Sequence, residues 1–164
     1  MGMLFDGLVQ RGTILSSSMS GCTDQEISAL ERHFGCTLPA TYREFIAIAG
    51  RRAGKLFAGT DIFYPRVLPL QSEALILLQE IKKSSIISAD AKVFCMHQGY
   101  EISYFLPVAD DQPVFQFFEG QSVATKPWES FSEFIEASVD EHLKQWKTLD
   151  NDCPPSASSC RCSH

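Results

Sequence analysis

The sequence predicts an α+β domain in which an antiparallel or mixed β-sheet is flanked by helices. Short alternating segments joined by turn residues predict a β-meander over residues 93–126. On both sides of this meander, apolar residues recur at the spacing of a helical face. Helices, then consecutive strands, then a helix are typical of α+β folds. We therefore expect an N-terminal helical hairpin, a middle helix and a C-terminal helix around the meander.

The helical hairpin is predicted by its start and stop signals. Thr23 and Glu26 have the spacing of a capping box, in which each side chain accepts a hydrogen bond from the other residue's amide. Gly35 is a suitable C-terminal cap for that helix. Pro39 is tolerated in the first turn of the second helix, and Gly50 ends its apolar face. Two short helices with a tight link form a hairpin.

The segment after the hairpin has weaker signals. Residues 51–58 are expected to form a loop, and Ile62–Tyr64 a short strand stopped by Pro65. Leu70–Lys83 is predicted to be the middle helix. Its apolar surface, which includes Leu75, is wide, so we expect contact on more than one side.

The meander is divided by its turns. Val93–His97 is followed by a turn at Gln98-Gly99 and by the alternating strand Tyr100–Leu106. Val114–Phe118 is the third strand, and Val123–Lys126 the fourth.

The last predicted helix is Ser130–Trp146, with an apolar face inward and acidic residues outward. The residues expected to face inward are Phe131, Phe134, Ile135, Val139, His142 and Leu143.

The 164 residues suit a single domain with two flanking segments. We expect an arm or short helix over residues 1–22 and the folded domain over residues 23–147. Residues 148–164 are rich in Cys, Ser and Pro and lack apolar periodicity, which predicts a disordered tail.

The charge balance is acidic, with 14 Lys and Arg against 20 Asp and Glu, a net charge of −6. Such a balance disfavours nucleic acid and anionic membranes as partners and favours a basic protein. No stretch approaches the roughly 20 apolar residues of a membrane span, and the start does not resemble a secretory signal. We therefore expect a cytoplasmic protein with reduced thiols.

Cys95 and His97 are the pair most similar to a catalytic dyad, since alternate residues of a strand share a face. Such a dyad also needs a group that orients the base. Nothing nearby in the sequence supplies that group or an oxyanion hole, so a buried thiol beside a hydrogen-bonded His is the better interpretation. We predict that the protein is not an enzyme and has no cofactor.

The tail contains four residues that could be zinc ligands, three Cys and one His. Their spacing lacks the usual C-x2-C knuckle, so we predict no metal site and keep the tail as a weak alternative. These residues are Cys153, Cys160, Cys162 and His164.

Three segments together resemble the SUKH superfamily. Leu38–Phe45 is similar to the family's LP-x-x-Y/F motif at the second helix. Val93–Phe105, followed by Asp110–Phe115, is similar to the HQGY-x-x-x-YF … DxPV run of one subgroup. Trp128–Ile135 resembles the closing W-x-SF-x-EFL motif. The three occur in the family's order, which makes the resemblance fairly specific.

The resemblance implies an α+β, non-catalytic protein-binding domain. Bacterial members are immunity proteins that bind and neutralise a cognate toxin, often a nuclease, and fungal members regulate cell-wall assembly. It therefore implies a toxin domain as the protein partner, with a regulatory scaffold or adaptor as the alternative function. The family's partner-contacting residues vary, so the resemblance does not identify them here.

We expect the partner to contact polar residues in the turns and loops beside the meander, because its apolar residues build a scaffold. The expected contact residues are Gln98, Tyr100, Glu101, Asp110, Asp111 and Glu119.

Overall fold

The computed structural model describes the backbone of residues 19–151 and the side chains of residues 19–145. Within this range the chain forms four helices and two antiparallel sheets, which confirms the α+β fold class and resolves the sheet as antiparallel. The helices are α1 (Asp24–Phe34), α2 (Ala40–Ala49), α3 (Leu70–Glu80) and α4 (Phe131–Asn151).

The main sheet has five strands in the order of the chain, β3-β4-β5-β6-β7, so the predicted meander is confirmed. Its strands are β3 (Thr60–Asp61), β4 (Lys92–His97), β5 (Glu101–Phe105), β6 (Val114–Phe118) and β7 (Thr125–Trp128). A small second sheet pairs β1 (Met19–Ser20) with β2 (Arg52–Ala53).

The helical hairpin forms as its local signals predict. Glu26 N donates to Thr23 Oγ1 over 3.2 Å, and Thr23 N donates to Glu26 Oε1 over 3.1 Å, which completes the capping box. Gly35 ends α1 with a left-handed φ of 69°. Arg51, just after α2, forms an ion pair with Glu26 and thereby ties the end of α2 to the start of α1.

One face of the main sheet is covered by α1, α2 and α4 around a cluster of aromatic rings. Tyr42 of α2 is fully buried, and its ring centroid lies 5.1 Å from that of Phe105 and 5.5 Å from that of Phe131. Phe94 of β4 contacts the rings of Tyr42, Phe105, Phe131 and Phe134 at 5.3 to 5.7 Å. This cluster seats α4 on the sheet.

The opposite face is covered by α3 and the segment after it. α3 packs on β4, and its Gln71 side chain bonds Val93 N and the Ala91 carbonyl. Lys83 Nζ lies 6.0 Å above the ring of Phe117 in β6. The sheet is therefore buried on both faces, which explains why four successive residues of β5, from Ile102 to Phe105, are all buried.

Four predictions in this region are wrong. The first is the loop over residues 51–58, because Arg52–Ala53 forms β2. The short strand is Thr60–Asp61 and not Ile62–Tyr64, because the chain leaves β4 after Asp61 and Tyr64 N bonds the Gly50 carbonyl instead. The predicted contact on a second side of α3 is not made at Leu75, which is 44% exposed. That helix ends at Glu80 because Lys82 adopts a left-handed φ of 59°.

The predicted arm and tail fall largely outside the described residues, which exclude residues 1–18 and 152–164. None of the helices in residues 19–151 combines the length and apolar content of a membrane span.

Candidate functional site

A groove of about 570 Å³ opens between the main sheet and one face of α4. Its floor is formed by β3, β4, β5 and β6, one wall by α4, and the other by the loop that joins β2 to β3. Polar side chains dominate the floor: Thr60, Cys95, His97, Glu101, Ser103 and Gln116.

The register of the strands explains why these polar side chains meet. Directly opposed residues of paired strands share a face. Thr60 opposes His97, which opposes Glu101. In the next row, Cys95 opposes Ser103, which opposes Gln116.

A bulge in β4 joins the groove to the aromatic cluster. Val93 opposes Tyr104 and Cys95 opposes Ser103, so Phe94 is the extra residue of β4. This extra residue lets both Phe94 and Cys95 face α4. The helix-covered face is therefore aromatic at one end and polar at the other.

Two side-chain hydrogen bonds join residues of neighbouring strands on the floor of the groove. Thr60 Oγ1 lies 2.8 Å from His97 Nδ1. Gln116 Nε2 donates to Glu101 Oε1 over 2.5 Å. Burial raises the pKa of the Glu101 carboxyl, while the nearby His97 and the Gln116 amide act in the opposite direction. The effect of burial is the larger one, so the pKa of Glu101 inside the groove remains raised.

Cys95 is unsuited to nucleophilic chemistry at this site. Burial raises the pKa of its thiol far above the usual range, so the thiol stays protonated at neutral pH. The Ser103 side chain is a hydrogen-bond partner of the Cys95 thiol. The Nδ1 atom of His97 forms its hydrogen bond with Thr60 Oγ1. The sequence interpretation of a buried thiol beside a hydrogen-bonded His agrees with this geometry.

The loop wall of the groove has an unusual backbone. Gly54, Phe57 and Gly59 adopt φ values of 61°, 62° and 78°. A left-handed conformation is uncommon for a bulky aromatic residue, and such strain persists only where surrounding structure holds it. The Phe57 ring is held by stacking on Phe134 at 6.0 Å and by edge contacts with Phe45 and Phe63.

The α4 wall consists of residues on successive turns of one helix face: Phe134, Ser138, Glu141, His142 and Gln145. His142 faces inward, as the sequence predicts. Burial and the positive charge of Lys55 lower its pKa, which favours the neutral imidazole.

The structure separates the six predicted contact residues into two groups. Gln98 and Tyr100 are exposed in the β4–β5 turn, and Tyr100 O accepts a hydrogen bond from Glu119 N over 2.8 Å. Glu101 begins β5 and reaches into the groove. These four residues lie together at the groove end of the β5–β6 pair.

Asp110 and Asp111 lie at the opposite end, in the loop between β5 and β6. The Asp111 carboxylate accepts hydrogen bonds from Ser132 N over 3.0 Å and Ser132 Oγ over 2.7 Å, at the first turn of α4. The Asp110 carbonyl accepts hydrogen bonds from Thr41 N and Thr41 Oγ1, both at 3.0 Å. This loop therefore fastens two helices to the sheet.

Sequence reasoning missed Thr60, Gln116 and the α4 wall as parts of one site. A signal was available, since Glu101, Ser103 and Gln116 interrupt strands that are otherwise apolar. Its meaning depends on register, which no single strand reveals.

Within the described residues no group of three or more His, Cys, Asp or Glu side chains is arranged to hold a metal ion. The weak zinc alternative rests on Cys153, Cys160, Cys162 and His164, which lie outside the described residues.

Comparison with known proteins supports the resemblance read from the three motifs. No curated protein matches the chain. The sequence model of the SMI1 / KNR4 family (SUKH-1) matches residues 21–137, which include α1 to α3, the whole five-stranded sheet and the start of α4. The chain belongs to the SMI1 / KNR4 family (SUKH-1).

Proposed function

We propose that this chain is a non-catalytic, cytoplasmic immunity protein that binds a cognate toxin domain and neutralises it. Membership of the SMI1 / KNR4 family fits an immunity or regulatory domain. The observation that carries the proposal is the groove, which is open, has a floor of polar side chains and is built on the five-stranded sheet. The protonated, buried Cys95 thiol makes binding a better use of this site than nucleophilic chemistry.

The proposed contact surface is the groove together with Gln98, Tyr100 and Glu119 beside its mouth. Tyr100 is 39% exposed, and a Tyr on an otherwise polar surface is a common anchor in protein interfaces. Asp110 and Asp111 remain proposed as secondary contacts at the far end of the β5–β6 pair.

The acidic balance favours a basic toxin surface, such as the substrate-binding surface of a nuclease. With a net charge of −6, the chain would attract such a partner over long range, and added salt would weaken that attraction. Long-range attraction accelerates encounter, and close contacts in the groove fix the partner.

Co-expression tests the proposal. A candidate toxin domain from a neighbouring gene is produced in a host cell with and without this protein, and survival is measured. We expect survival only with the protein present. Continued cell death despite abundant, folded protein would reject the pairing.

The alternative is a regulatory scaffold or adaptor, which the family's fungal members favour. It predicts several partners in an affinity purification and no protection from a toxin. Protection by one tightly bound partner would exclude this alternative.

A further inference from the structure

The Glu101 carboxylate is positioned to bind a positively charged group. Its carboxylate is half-buried on the groove floor and receives a neutral donor, the Gln116 amide. Among the described residues, no Lys or Arg forms an ion pair with it. Because this carboxylate is already partly removed from water in the folded chain, less of its hydration remains to be lost when a cation binds. Hydrogen bonds to an ionised acceptor are also stronger than those between neutral groups.

Aromatic rings line the same groove as this carboxylate. Trp128 is half-buried on β7 and contacts Phe134 edge-on, with ring centroids 5.0 Å apart. Phe57 stacks on the other side of Phe134. Aromatic faces attract cations, and the planar guanidinium group both stacks on rings and pairs with carboxylates.

The charges around the groove are unevenly distributed. Glu101 lies on the floor and Glu141 on the α4 wall, while Lys55 lies on the loop wall. Lys55 acts on His142, and His97 is the basic side chain that acts on Glu101. The floor near Glu101 is therefore the part of the groove best suited to an incoming cation, and an anion there would meet a carboxylate.

We propose that the groove, whose lining includes Trp128, receives an arginine side chain of the protein partner, with its guanidinium group paired to Glu101. This inference rests on the proposed function, because it identifies the chemistry of the same binding surface. Arginine fits better than lysine, since the site combines a carboxylate acceptor with aromatic surface.

The experiment uses the full chain and short neutralised peptides as probes. Acetylated and amidated Gly-Arg-Gly is titrated into isotopically labelled protein at low salt, and backbone amide and Trp128 indole shifts are followed by NMR. We expect saturable shifts at Glu101, Gln116 and Trp128. Gly-Lys-Gly is expected to bind more weakly, and Gly-Glu-Gly to give no saturable shifts.

Two matched variants decide whether the groove carboxylate is responsible. Glu101→Gln keeps the shape of the side chain and removes its charge, and should weaken binding of the arginine peptide about tenfold or more. Glu136→Gln makes the same change on the exposed side of α4 and should leave binding unchanged. Fold integrity is checked from the dispersion of the amide spectrum in each variant.

The inference is overturned if the arginine peptide gives no saturable shifts, if Glu101→Gln binds it as tightly as the wild type, or if the lysine or glutamate peptide binds equally well. Failure of the peptide with continued protection in the co-expression assay would reject the arginine site alone. Absence of protection together with peptide binding would reject the toxin pairing alone.

Discussion

Phe94 and Cys95 are neighbours in β4, yet they belong to opposite ends of the helix-covered sheet face. At the Phe94 end, rings from α1, α2, α4 and the sheet are buried against one another. At the Cys95 end, hydrogen-bonded polar side chains lie open to a groove. The comparison indicates that one sheet face both stabilises the fold and forms the proposed binding surface, with the bulge at Phe94 and the Phe134 ring between the two ends.

Removing Phe94 should have the largest effect on stability. Its ring is fully buried against four other rings, so Phe94→Ala should lower the free energy of unfolding by about 3–5 kcal/mol. Urea denaturation measures this change, and Phe94→Leu should lose much less. A loss below about 1 kcal/mol for Phe94→Ala would show that the aromatic end does not dominate stability.

Asp111→Ala tests the loop that fastens α4 to the sheet. The variant removes both acceptors of Ser132 at the start of α4, so the free energy of unfolding should fall by about 1–2 kcal/mol. Asp110→Ala is the control, since its carbonyl and not its carboxylate bonds Thr41. Equal denaturation midpoints for the two variants would contradict the fastening role.

Tyr42→Phe should have a smaller effect, in the opposite direction. The Tyr42 hydroxyl is buried and has no hydrogen-bond partner among the described residues. Removing an unsatisfied buried hydroxyl should raise the free energy of unfolding by up to about 1 kcal/mol. A thermal melt checks this, and a clearly lower melting temperature would indicate that the hydroxyl has a partner in solution.

Glu101→Gln should change stability least, by about 0.5 kcal/mol or less, and in a pH-dependent way. Because burial raises the carboxyl pKa in the folded state, ionisation of Glu101 costs stability as the pH rises above the ordinary value of 4.5. Glu101→Gln has no ionisable group at this position and lacks this cost. Its free energy of unfolding, relative to that of the wild type, should therefore rise between acidic and neutral pH. A constant difference, measured by urea denaturation across that range, would contradict the assigned burial.

The sequence predicts the elements that stabilise the fold better than those that form the proposed binding surface. The capping box at Thr23, the hairpin helices and the inward face of α4 depend on local spacing, which a single sequence displays. The two-residue strand Thr60–Asp61 does not depend on local spacing, because it forms only where β4 offers an edge. Leu75 is apolar yet exposed, since nothing in the described chain covers that side of α3.

The groove itself is a product of register. Glu101 was predicted as a contact residue, but its partner Gln116 lies on another strand and Thr60 on a third. The left-handed Phe57 in the loop wall also depends on distant rings, which no local pattern reports. Such features follow from tertiary contacts, so a single sequence cannot place them together.

The most direct test of the account is the affinity of the proposed toxin partner, measured by calorimetry, for the wild type and two variants. We predict that Glu101→Gln weakens binding about tenfold or more while its denaturation midpoint stays near that of the wild type. Glu136→Gln should bind as the wild type does. Undiminished affinity of Glu101→Gln would contradict the claim that the polar end of the sheet is the binding surface.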